Sequence, residues 1–226
     1  MKLKSFGCSF IWGSEMADAD PLPSQSSWPA LLAKYLSLPY ECYARPGGGN
    51  LLIAEQILNQ VALPGQDSES EPSIFVVNWT YIDRFDYANP ANDQWDTITP
   101  GGGRDGQQAL AAHYYRNLHS QYRDKLTTLM HIKLCIDSLL QAGHQFIMTY
   151  MDGLLFETEY HCSPAVNRLQ HAIKPYMRNF NGMNMVQYSM ARGHQTTDRA
   201  HPLESAHRDM YDYALAFFDI HKIKTT

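Results

Sequence analysis

The chain has 226 residues, a formal net charge of −5, and 44% apolar and 18% charged residues. That length buries a core without disulfide or metal staples, and the composition excludes a disordered chain. The acidic balance excludes a general phosphate-backbone binder, which carries a basic face, so nucleic acid is not an expected partner.

In chain order, the apolar-alternating LKSF reads as a strand. GCSFIWG follows, a turn between glycines that presents Ser9 at the strand's end. SQSSWPALLAKYL reads as a helix, with serine at the cap, Pro29 in the first turn, and Leu31, Leu32, Tyr35 and Leu36 at helical spacing. Tyr40 to Ala44 reads as a second strand, ARPGGGN as a turn, and NLLIAEQILNQVAL as an amphipathic helix from Asn50. PGQDSESEP is a polar loop. SIFVVNW is a continuous apolar run, the kind of strand covered on both faces. Residues 81–106 carry aromatics, Pro, Gly and Asp without a period, and read as an insertion-like ordered loop shaping a cleft. Ala109 to Ala142 is helical, as one helix or as two broken near Ser120. HQFIMTYMD reads as a buried strand, residues 164–178 as a helix and NMVQYS as a last short strand. HPLESAHRDMYDYALAFFDIHK reads as a final helix with Met210, Tyr213, Ala214, Phe217 and Phe218 inward. There is no internal repeat and no dividing linker, so one domain over residues 1–226 is expected.

Four cysteines, Cys8, Cys42, Cys135 and Cys162, show neither a C-x-x-C pair nor zinc-finger spacing, and read as reduced, partly buried thiols. No apolar run approaches the ~20 residues of a membrane helix. No apolar leader follows the N-terminal lysines, so a cytoplasmic protein without a membrane partner is expected.

Alternating strands and helices predict an α/β fold with a mostly parallel sheet, whose sites lie at the carboxyl ends of the strands. Four strand-end turns there carry chemistry. They hold Ser9; Gly47 to Gly49 with Asn50; Asn78 and Thr80; and, in DRAHPLESAH, Asp198, His201 and His207. A serine nucleophile needs a base, and the base needs a carboxylate to fix its tautomer. Asp198 and His201, three apart in a turn, have the spacing for that. A developing oxyanion needs N–H donors, which a glycine turn offers. Plainer readings exist for each. Ser9 can cap a helix, Gly47 to Gly49 can be a flexible turn, His207 can serve packing, and Arg84 can pair with Asp83 or Asp86. His194, His201, His207 and Asp198 match no H-E-x-x-H spacing, so no metal is expected.

This ordered set of motifs, from Gly7 to His201, resembles the SGNH, or GDSL-like, hydrolases. The resemblance implies a three-layer α/β/α sandwich with a mostly parallel, flavodoxin-like five-stranded sheet. It also implies ester hydrolysis without a cofactor, on a small-molecule or carbohydrate ester. Ser9 falls on the nucleophile, with Cys8 where the usual motif has Asp. Asp198 and His201 fall on the acid and base, and Gly47 on the oxyanion glycine. The usual Gly-x-Asn-Asp is absent; Thr80 stands at the asparagine's place, with Asn78 two residues before it. Asn50, Trp79 and Arg84 are candidates for substrate contacts. The alternatives are a binding module that keeps the fold without turnover, and an acyltransferase.

Overall fold

The structure, a computed structural model, describes residues 1–61, 72–102 and 106–220. The expected polar loop falls outside these residues but for Pro72.

LKSF forms strand β1 (Leu3–Phe6). It lies between β2 (Tyr40–Cys42) and β3 (Ile74–Trp79), and β6 (Gln145–Tyr150) pairs with the far side of β3. All pairings are parallel, with Leu3 beside both Tyr40 and Ile74, and Ile74 beside Gln145. The strands therefore run out at one edge, where the turns after Phe6, Cys42 and Trp79 meet.

Side chains of β3 alternate between two cores, which is why its run is apolar throughout. Leu3, Val76 and Ile147 pack with Trp28 and Leu32 of α2 (Trp28–Leu36) and with Met210 and Ala214 of α8 (Glu204–Phe217). Phe6, Phe75, Val77 and Met148 face the other way. They meet Ile53 and Ile57 of α3 (Asn50–Leu58), Ile132 and Leu139 of α5 (Gln121–Gln141), and Ile173 of α6 (Pro164–Ile173). The result is the expected three-layer sandwich. Phe217, expected inward, is instead 65% exposed, because the buried stripe of α8 runs through Met210 and Ala214. The four cysteines are all free thiols.

The main sheet has four strands among the described residues, not five. NMVQYS, expected as the fifth, is helical in α7 (Met185–Ala191). Asn184 and Gln187 form a reciprocal capping box, with the Gln187 N–H donating to Asn184 Oδ1 at 2.9 Å and the Asn184 N–H to Gln187 Oε1 at 3.1 Å. Two satisfied end donors outweigh a short run of mixed apolar and polar residues. The helical region 109–142 divides into α4 (Gln108–Asn117) and α5, where the Ser120 hydroxyl accepts the Arg123 N–H at 3.3 Å and starts the second helix.

The long loop contains an antiparallel hairpin, β4 (Phe85–Asn89) and β5 (Gln94–Ile98). Asp86 fastens it to the sandwich. Its buried carboxylate accepts the N–H groups of Gly49 (2.8 Å) and Leu52 (2.9 Å), and the Thr97 hydroxyl (2.5 Å). Gly49 and Leu52 begin α3, so the charge also opposes the positive end of that helix.

His207, on α8, is fully buried, and its Nδ1 accepts the Trp28 N–H at 3.2 Å, which caps α2 from across the core. Burial lowers its pKa from 6.5 to about 4. Between those values the unfolded chain binds the extra proton and the folded one does not, so stability falls as the pH drops. From pH 7 to pH 4 this histidine alone is expected to remove roughly 3 kcal/mol. His207→Gln should flatten that part of the pH dependence of urea unfolding; an unchanged profile would show that His207 does not set it. No helix among the described residues is long and apolar enough to cross a membrane.

Candidate active site

Gly7 ends β1 with φ 154°, a backbone conformation side chains disfavour. The chain then makes one helical turn, α1 (Ser9–Trp12), with Cys8 at its cap and Gly13 in a left-handed conformation at its end. This puts Ser9 at the strand edge, 7% exposed. Its hydroxyl has no hydrogen-bond partner among the described residues, so the capping reading has no support here.

Ser9 and His201, from opposite ends of the chain, line one cleft of about 440 Å³. Ser14, Glu15, Arg45 and Gly47 line it too, with Arg199 at the rim. Thr97, Thr99, Gly101 and Gly102, from β5 and the segment after it, form a wall. The Ser9 and His201 side chains share no hydrogen bond; in active sites such bonds commonly tighten only around substrate.

Gly47, of the glycine turn, lines the same cleft as Ser9. Gly47 is left-handed (φ 82°), and the turn is closed by the Gly48 N–H on the Arg45 carbonyl at 2.9 Å. The backbone N–H groups of Ser9 and Gly47 have no partner among the described residues. Arg84 supports the same turn from behind, donating to the Gly48 carbonyl at 3.0 Å, and does not line the cleft.

The remaining sequence candidates are placed elsewhere. Asn78 is fully buried between strands, its amide donating to Thr149 Oγ1 at 2.7 Å. The Thr80 hydroxyl donates to Cys8 Sγ at 3.4 Å, and its N–H to Asn50 Oδ1 at 2.8 Å. Asn50 is thus a clasp between α3 and the end of β3, its amide also donating to the Thr80 carbonyl at 3.2 Å. Trp79 faces the opposite core and is fully buried. All four side chains are buried and none of them lines the cleft. Cys8, at the usual aspartate's place, is a buried acceptor for Thr80.

The pairing of Asp198 with His201 is not formed either. Asp198 is exposed, at a central position of a turn closed by the Ala200 N–H on the Thr197 carbonyl at 2.8 Å. Central turn residues project outward. The carboxylate on the ring is Glu15, whose Oε2 lies 2.5 Å from His201 Nδ1. The Thr197 hydroxyl also donates to Glu15 Oε2, at 2.6 Å. These two hydrogen bonds, Thr197's first, hold the Glu15 carboxyl below its ordinary pKa. No spacing signal could have shown this contact, since 186 residues separate the partners. The His201 ring also packs edge-on against Phe10, with centroids 5.3 Å apart. The other histidines are dispersed, with His194 on Asp209 at 2.9 Å and His207 in the core.

Solved structures share this architecture. One is a member of the lipolytic protein G-D-S-L family from Veillonella parvula, 14% identical over 96% of this chain and 98% of that one, with a TM-score of 0.50. Another is the psychrotrophic esterase EstA from Pseudoalteromonas sp., 8% identical over the whole of both chains, with a TM-score of 0.52. A third is the acetyl xylan esterase Est2A from Butyrivibrio proteoclasticus, 16% identical over 96% of this chain and 64% of that one, with a TM-score of 0.50. No family model and no curated protein matches the sequence. The chain has the fold of the SGNH, or GDSL-like, hydrolases.

Proposed function

We propose that this chain is a serine-dependent carboxylic ester hydrolase acting on a small acyl or acetyl ester, acetylated carbohydrate included. The observation that supports the reading is the shared cleft, which Ser9, His201 and Gly47 line together, with the N–H groups of Ser9 and Gly47 unpartnered among the described residues. Ser9 Oγ bonds to the acyl carbon while His201 Nε2 takes its proton. The carbonyl oxygen becomes an oxyanion held by the two N–H groups. The C–O bond to the alcohol then breaks, and the alcohol leaves with the proton from Nε2. Water, deprotonated by the same nitrogen, releases the acid and restores Ser9. Glu15 and Arg199 at the rim are exposed, so water reaches the cleft, which favours hydrolysis over transfer. The resemblance to an acetyl xylan esterase supports carbohydrate esters as one substrate class.

A second reading is ligand binding without turnover, favoured by the engagement of Thr80 and Asn78 away from the cleft. It leaves two oxyanion donors, and one lost donor costs on the order of 100- to 1000-fold in rate. A fluorophosphonate probe separates the two. The hydrolase gains one adduct by intact mass, mapped to the peptide containing Ser9. A folded protein that gains none is a binding module.

A further inference from the structure

We propose that Glu15, not Asp198, is the carboxylate that fixes the tautomer and orientation of His201. As a role in catalysis this rests on the hydrolase reading; as a property of the ring it does not.

A carboxylate only accepts, so at 2.5 Å Nδ1 is the donor to Glu15, and in the neutral ring that leaves the lone pair on Nε2. That is the tautomer a general base needs. The contact is held from several sides. Thr197 donates to Glu15 Oε2 at 2.6 Å and accepts the His201 N–H at 3.2 Å, so one hydroxyl ties the acid to the base's own backbone. Two residues after Glu15, the Ala17 N–H donates to Glu204 Oε1 at 2.7 Å, which fastens the loop to α8. Glu15 itself has φ 69°, a strained value for a residue with a side chain, and such values persist where the surroundings over-determine them. Arg199 stands 4.0 Å from the other oxygen, Oε1. Ser9 and Glu15 are six residues apart around α1, so the turn that presents the nucleophile also delivers the acid.

The experiment has a readout independent of turnover. Proton NMR of the wild type is expected to show one strongly deshielded imidazole N–H. It should persist in Asp198→Asn and be lost in Glu15→Gln and His201→Ala. With p-nitrophenyl acetate, Glu15→Gln should lower kcat by on the order of 10⁴-fold with KM little changed. Glu15→Asp, one methylene shorter, should recover part of that loss, and Asp198→Asn should match the wild type. A deshielded proton that survives Glu15→Gln, or that disappears in Asp198→Asn, overturns the proposal. An inert wild type with the proton following Glu15 overturns the hydrolase reading and leaves the positioning role supported.

Discussion

Ser9→Ala is expected to abolish ester hydrolysis, with kcat falling on the order of 10⁶-fold while the protein stays folded. The fold should tolerate the change because the Ser9 hydroxyl bonds to nothing among the described residues, so its removal orphans no buried partner. The turn that holds it depends on backbone: the Ile11 and Trp12 N–H groups both donate to the Cys8 carbonyl at 3.1 Å. His201→Ala should cost about as much, and the double variant little more than either alone, because nucleophile and base act as one unit. Residual turnover would come from the N–H pair and the cleft alone. The check is kcat/KM on p-nitrophenyl acetate beside thermal unfolding of each variant. A Ser9→Ala protein with undiminished turnover would remove Ser9 from the mechanism.

Gly7→Ala is expected to destabilise the protein by about 2–6 kcal/mol and to stop labelling of Ser9. Two costs combine. The backbone sits at φ 154°, and a Cβ there would lie 2.7 Å from Ile11 Cγ1 and 3.1 Å from the Asn78 carbonyl. Neither obstacle is free to move, since Ile11 is fully buried and Asn78 belongs to β3. Gly47→Ala is the contrast. Its φ is 82°, yet nothing lies within 4 Å of the added carbon, so only backbone strain of ~1–3 kcal/mol remains. Urea unfolding of the two variants should separate them; equal midpoints would show that the contact at Ile11 relaxes.

Much of this fold is legible in the sequence, because its signals are local. The all-apolar SIFVVNW reports a strand with cores on both sides, and glycines mark the turns that need unusual backbone. NMVQYS misleads because a six-residue apolar-polar run fits either period, and the deciding feature is the pair Asn184 and Gln187 at capping distance. The aromatic loop hides its hairpin because β4 packs Asp86 inward, against the usual alternation. In the candidate site, the turns that bring Ser9, Gly47 and His201 to one cleft are readable in the sequence. The carboxylate beside His201 is not. Asp198 has the right spacing, but Ala200 adopts φ 61° and turns the chain so that Thr197 faces Glu15 instead. Asn78, Thr80, Asn50 and Trp79 are polar or aromatic residues in plausible places whose burial only three dimensions reveal.

The hairpin β4–β5 hangs on Asp86 at its base and contributes the cleft wall from residues 97–102, whereas its tip at 89–94 bonds chiefly to itself. Ser9 and His201 belong to the sandwich, and part of the wall facing them belongs to this appendage. The two can vary apart. On the hydrolase reading, lengthening or exchanging the hairpin while keeping Asp86 and Thr97 would redraw the range of esters accepted and leave Ser9 and His201 where they are. Selectivity and chemistry would then sit on separate parts of the chain.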